Sequence, residues 1–232
     1  MLLEVIATTV NDAATAERHG ADRIELITGI AEGGLTPSLG LIEAVREAVS
    51  IPVRVMVRPH ARSFCYDAED IAVMLRDIGH IRAVGGLSLV TGVLRVDRSI
   101  DEELLQRLLE AADGMDVTFH RAFDEIPDQL AALNVLSRYK QITDVLTSGG
   151  KATALEGAER IANLQRLSSI QRQPSILAGS GLRAEGLKSF LEQTGVGRVH
   201  FGSAVREDEN PLKSVNPGRL EAVRQILNSW KR

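Results

Sequence analysis

Val117-Thr118-Phe119-His120-Arg121-Ala122-Phe123-Asp124 decides how this chain folds. It passes from a β-patterned run into a polar loop at mid-chain. A His, an Arg and an Asp fall together at the point where a strand would end and a helix begin. In parallel α/β sheets that carboxyl end of the strands is where ligands bind. A histidine bonded to a backbone carbonyl, next to a bracing Arg–Asp pair, would use the same residues, so the rest of the chain has to separate the two readings.

Outward from this stretch, short β-branched runs alternate with amphipathic segments in both directions. Strands are expected at residues 2–7, 22–27, 53–58, 84–90, 115–120, 142–146, 175–178 and 198–201. Helices are expected at about 11–19, from Thr36-Pro37 onward, from Asp67 and Asp70 to about 80, and after Ser99 and Glu102. Further helices are expected at about 127–139, 153–167 and 183–193, and from Asn216-Pro217 onward. Thr36 has the chemistry of an N-cap with proline in the first turn, and Ser99 and Glu102 have capping-box spacing. Eight strand–helix pairs without a Ser/Pro-rich linker predict a single-domain α/β fold over residues 1–232, a (β/α)8 TIM barrel. A doubly wound sheet is the rival and loses on the count.

Of the 232 residues, 44 % are hydrophobic, enough for a sizeable core. The net charge is −4 and the basic residues are scattered, which excludes the electrostatic footprint of a nucleic-acid or anionic-membrane binder. Cys65 is the one cysteine, so no intrachain disulfide forms and a reducing compartment fits. With no signal-peptide pattern and no spanning apolar run, a cytoplasmic location is expected.

Strand parity says more. In residues 53–58, Val53, Val55 and Val57 oppose Arg54, Met56 and Arg58. Leu3, Val5 and Ala7 likewise oppose Leu2, Glu4 and Ile6, and Ile24 and Leu26 oppose Arg23 and Glu25. Val117 and Phe119 oppose Asp116, Thr118 and His120. The helix-covered face of a barrel must be apolar, so Glu4, Arg23, Glu25, Arg58 and His120 are expected to point inward. Interior charges cost several kcal/mol each unless paired, and a barrel built only for stability fills those layers with Val, Ile and Leu.

The catalytic candidates are His120, Glu25, Glu4 and Asp124. His120 has an ordinary pKa suited to proton exchange, Glu25 is its acid/base partner, and Glu4 orients the site. Arg23 and Arg58 either hold substrate charge or balance the glutamates. Glycine loops at Ser148-Gly149-Gly150-Lys151, Gly179-Ser180-Gly181 and Gly202-Ser203 offer backbone N–H groups to an anion. Gly149, Gly179, Gly181, Ser148 and Ser203 are therefore binding candidates. Glu4, Glu25, His120 and His200 supply oxygen and nitrogen ligands of the kind that divalent metals take. The parity of His200, opposite to Val199 and Phe201, leaves its direction open. No G-x-S-x-G elbow surrounds Ser148 or Ser203. Cys65 reads as a partly buried thiol or a soft-metal ligand.

Several motifs resemble the CutC copper homeostasis family. They are Leu3-Glu4-Val5, Gly20-Ala21-Asp22-Arg23-Ile24-Glu25-Leu26, Gly33-Gly34-Leu35-Thr36-Pro37-Ser38, Ile51-Pro52-Val53, Val57-Arg58-Pro59, Phe64-Cys65-Tyr66, Val90-Thr91-Gly92-Val93-Leu94, the stretch from Thr118 to Asp124, and Leu146-Thr147-Ser148-Gly149. The resemblance implies a TIM barrel, a cytoplasmic homo-oligomer, and copper(I) binding or trafficking; Cys65, His60 and His120 are the metal-ligand candidates in this sequence. The chain departs from the pattern at Ile6 and Ile27, where family members often carry Cys, and at His60-Ala61-Arg62-Ser63, where a glycine-containing turn is more usual. Copper(I) prefers thiolate and thioether ligands, which isoleucine does not offer. Two functions therefore remain in view: a copper-handling protein, or an enzyme acting on a small phosphorylated or carboxylated metabolite.

Overall fold

Apolar side chains on one parity of each strand and charged ones on the other are both satisfied when the sheet closes on itself, with helices over the outer face and the charges paired within. The computed structural model describes residues 1–230, and in it the sheet does close. β1 (Leu2–Ala7), β2 (Arg23–Leu26), β3 (Val53–Met56), β4 (Ser88–Thr91), β5 (Val117–Phe119), β6 (Ile142–Thr147), β7 (Ser175–Ala178) and β8 (Arg198–Phe201) pair in sequence order. All are parallel, and β8 returns to β1. Between them run α1 (Val10–Arg18), α2 (Leu39–Ala48), α3 (Ala68–Val84), α4 (Glu102–Ala112), α5 (Gln129–Leu136), α6 (Ala158–Gln171), α7 (Leu187–Thr194) and α8 (Pro217–Ser229). This is the expected (β/α)8 barrel. Among the described residues, no helix is long and apolar enough to cross a membrane.

The parity argument places two separate apolar bodies. Leu3, Val5, Ile24, Val53, Val55, Leu89, Phe119, Val145, Val199 and Phe201 belong to the large core between sheet and helices. Ile27, Met56 and Val90 form a small cluster of their own, with Ile6 and Ile30 against it. Ile6, Met56 and Val90 lie on the interior parity near the carboxyl ends of their strands.

Several helix starts differ from the sequence expectation, each for a local reason. Ser38, not Thr36, caps α2 by accepting from Leu41 N at 3.3 Å. The Thr36 hydroxyl is used elsewhere, accepting from Arg58 N at 2.9 Å. Asp101, not Ser99, caps α4, because Ser99 is turned onto Asp97. Asp67 and Asp70 form the full capping box of α3, and Asn216 with Pro217 opens α8 as expected. Helix α3 outruns its expected end and takes Val84, so β4 begins only after Gly85 and Gly86, whose positive φ values turn the chain. Beyond β5 the chain first makes a 3-10 turn over Arg121–Glu125, which delays α5 to Gln129.

Candidate active site at the C-terminal mouth

The barrel interior is stacked in charge. At its centre the Arg23 Nε lies 2.5 Å from Glu4 Oε2, and Arg23 Nη1 reaches Asp144 Oδ2 at 3.0 Å. Arg54 and Arg198 converge on the same Asp144 carboxylate at 2.9 and 2.6 Å. Arg54 also donates to the hydroxyls of Thr118 and Thr143. Above this layer, His200 Nδ1 lies 2.8 Å from Glu4 Oε1, and His200 Nε2 lies 3.8 Å from Glu25 Oε2. Glu4 and Asp144 are wholly buried, as nearly are Arg23, Glu25 and Arg54. The structure thus settles the direction of His200, which faces inward. Asp144 and Arg198 were missed by sequence reasoning, although the parity of β6 and β8 carried the signal.

This stack drives its members' proton affinities apart. Burial works to raise the Glu4 pKa, but the Arg23 guanidinium and His200 overcome it and hold the carboxyl down at about 2. Burial pushes Glu25 up to about 7, with repulsion from Glu4 added, and the attraction of His200 and Arg23 does not offset it. For His200, burial is outweighed by Glu25 and Glu4, which raise its pKa above the usual value. Burial, helped by Arg58, pushes His120 down to about 3. At neutral pH the site therefore holds an ionised Glu4, a neutral His120 and a Glu25 at its midpoint, with His200 biased toward its cationic form.

Glu25, His120, Arg58, Arg121 and His200 line a cavity of about 370 Å³ at the C-terminal mouth. Its walls are Ile6, Ile27, Met56, Phe64, Leu146 and Leu182, and its rim carries Gly181, Ser180 and Ser203. Ala122 N–H donates to His120 Nδ1 at 3.2 Å, which leaves the hydrogen of the neutral ring on Nε2. That Nε2 is buried and has no partner among the described residues, and the same is true of Glu25 Oε1 and Arg58 Nε. Arg58 is held by the Glu32 and Gly34 carbonyls through Nη1, each at 3.0 Å, and lies 4.8 Å over the Phe64 ring. Phe64 also packs on His120 at 4.8 Å between ring centroids. Gly92, just beyond β4, is what allows His120 its place, since a Cβ there would sit 2.5 Å from Nδ1. Sequence reasoning gave Gly92 no role in the site.

Other candidates take different duties. Arg23 balances Glu4 and Asp144 below the cavity and does not line it. Asp124 is turned away from chemistry: its carboxylate accepts from Thr147 Oγ1, Ser148 N, Gly150 N and Arg121 Nε, and so ties down the loop after β6. Ser148 is spent in the same loop, 2.5 Å from the Lys151 carbonyl. Gly149, at φ +72°, is pressed against Gly157, where a Cβ would come within 2.7 Å of its carbonyl oxygen. A Cβ on Gly179 would meet Leu146 at 2.7 Å and His200 at 3.1 Å, so this glycine makes room for the interior side chains.

The copper set is not assembled. His60 Nε2 bonds to Asp70 at 2.9 Å, Cys65 sits half-buried in the loop after β3, and neither lines the cavity. Among the described residues, the one group of three His, Cys, Asp or Glu with ligand atoms within 4.8 Å of one another is Glu4, Glu25 and His200. That set offers oxygen and nitrogen donors, which do not suit copper(I), and Arg23 already occupies Glu4.

Known structures repeat this architecture. A crystal structure assigned to the copper homeostasis protein CutC of Streptococcus agalactiae is 30 % identical, with a TM-score of 0.81 over 86 % of this chain and 97 % of that one. Phosphoribosyl anthranilate isomerase from Thermococcus kodakaraensis, 14 % identical over 99 % of each chain with a TM-score of 0.65, shares the fold. So does thiamine phosphate pyrophosphorylase from Pyrococcus furiosus, at 14 % identity and a TM-score of 0.60 over 98 % of this chain and 95 % of that one. The CutC family model spans residues 1–205, which takes in every strand of the barrel and every residue of the charge stack, and by that match the chain belongs to the CutC family.

Proposed function

We propose that this chain is an enzyme that moves a proton on a small anionic carbonyl compound at the C-terminal mouth of the barrel. The observation that carries the reading is a single cavity shared by Glu25, poised at about 7, and the unpartnered Nε2–H of a neutral His120. A general base works best with a pKa near the operating pH. A neutral imidazole N–H can polarise a carbonyl without surrendering its proton, the division of labour between glutamate and histidine in triosephosphate isomerase. In the proposed step the Glu25 carboxylate takes a proton from the carbon beside the carbonyl. The electron pair moves to the carbonyl oxygen, which accepts the His120 hydrogen bond, and Glu25 then returns the proton. Arg58 supplies positive charge for the substrate's anionic group, and the loops bearing Gly181 and Ser203 follow the strands where this fold commonly grips phosphate.

A thermal-shift screen of phosphorylated and carboxylated ketoses supplies binders, and each binder is then incubated with the protein in deuterium oxide. The wild type should wash deuterium into the carbon beside the carbonyl, and Glu25→Gln should slow that exchange by about 100-fold or more. Exchange at the wild-type rate in Glu25→Gln, or no exchange with any binder, removes the proposal.

Copper carriage, the role in the name of the Streptococcus agalactiae relative, is the competing reading, and Cys65 is the residue that favours it. Against it stands the donor chemistry: copper(I) takes several soft ligands, and Ile6 and Ile27 are apolar walls of the cavity. Anaerobic copper(I) titration should give only a non-specific baseline. A one-to-one complex that weakens sharply in Cys65→Ser would restore the copper reading.

A further inference from the structure

The barrel has a second cavity, of about 380 Å³, at the opposite end, ringed by the first residues of its strands. Leu2, Arg23, Arg54, Ser88, Thr143, Ser175 and Arg198 line it from the strands, and Arg172 and Gln173 close it from the turn between α6 and β7. Conserving a fold calls for no such group of cations at the N-terminal face, which in barrels of this kind serves stability.

We infer that this cavity is an anion site for a phosphate group, either free or at the end of a small monoester, held by Arg23, Arg54, Arg172 and Arg198. The charge count favours it. Two wholly buried carboxylates face these arginines: Asp144, which Arg23, Arg54 and Arg198 share, and Glu4, which pairs Arg23. Of the other acids on the wall, Asp22 is taken by Leu3 N and Arg224, both at 2.7 Å. Asp116 is largely exposed and reaches Arg54 only at 3.9 Å. Glu4 is shared with His200. The Nη2 of Arg23, on a side chain 95 % buried, has no partner among the described residues. Burial, with repulsion from Arg23, lowers the Arg54 pKa although Asp144, Glu4 and Asp116 work to raise it. Guanidinium forks match phosphate oxygens in pairs, and the hydroxyls of Ser175 and Ser88 and the amide of Gln173 on the same wall add neutral donors.

The site is independent of the chemistry proposed for the other mouth, and two charge insertions tell the mouths apart. Ser175→Glu places a carboxylate in the N-terminal cavity without removing an arginine, and Ser203→Glu does the same at the C-terminal one. Calorimetric titration of the full chain uses inorganic phosphate in one arm and glycerol 3-phosphate in the other, and the tighter binder names the source. Ser175→Glu should weaken binding at least tenfold, and Ser203→Glu should leave it within twofold. Arg172→Ala removes an exposed guanidinium, so the fold is kept, and it should also weaken binding severalfold. Absence of saturable binding by the wild type overturns the inference, as does weakening by Ser203→Glu with Ser175→Glu unaffected.

Discussion

Glu4 and Glu25 are both buried, stand on neighbouring strands, and titrate in opposite directions. The folded pKa of Glu25, about 7, lies above the ordinary 4.5, so its protonated form supports the fold fully below 4.5 and that support is lost as the pH rises through 7. Glu4, at about 2, contributes above 4.5 and loses its contribution as the pH falls through 2. His200, raised, contributes below its ordinary 6.5 and loses that as the pH rises through its folded value. The Glu25 shift corresponds to about 3 kcal/mol. Glu25→Gln is a neutral isostere without this dependence, so the variant should melt roughly 6–12 °C above wild type at about pH 8 and level with it at about pH 4. Thermal melts across that range check it, and an equal gap at both ends would refute the buried-carboxylate account. A residue that weakens the fold when ready to react is the usual signature of a working group. The inward direction of these glutamates was legible from alternation alone. Their opposite titration was not, because it depends on where the cations sit in three dimensions: Arg23 lies 2.5 Å from Glu4, while His200 Nε2 stands 3.8 Å from Glu25.

At the scale of elements, the loops after β5 and β6 are a single assembly. The His-Arg-Asp stretch reads in sequence as a site, and the structure divides it: His120 lines the cavity, Arg121 spans cavity and clamp, and Asp124 holds the neighbouring loop. Spacing could not separate them, since the loop partners of Asp124, Thr147, Ser148 and Gly150, lie 23 to 26 residues away. Asp124→Ala would strand the Ser148 and Gly150 amides and the Thr147 hydroxyl, at a cost of about 3 kcal/mol. A fall of roughly 6–12 °C in melting temperature is expected. An unchanged melting temperature would mean that Asp124 is not the clamp. The capping residues show the same limit: Thr36 and Ser99 had the right chemistry, but tertiary and turn contacts claimed their hydroxyls first.

For the whole molecule, the count of eight strand–helix pairs without a linker was enough to name the barrel. Its closure rests on residues far apart in sequence. Glu4 meets His200 across 196 positions, Asp12 meets Arg206 across 194, and Arg224 meets Asp22 across 202. A chain ending at Gly197 should therefore show no cooperative melt and should bind a hydrophobic dye such as ANS. A sharp two-state transition in that fragment would show that β1–β7 fold unaided.

The Glu4–His200 pair also orders events in time. A ribosome adding 5–20 residues per second needs roughly 10–40 s to go from Glu4 to His200. Throughout that interval the edge of β1 is open to any strand that arrives. A wrong neighbour would leave the buried Glu4 carboxylate with Arg23 alone, and its second oxygen without the imidazole that it meets in the closed barrel. The last strand to be made thus brings the partner that completes the first, and a wrong strand sealing the nascent barrel would forgo that contact.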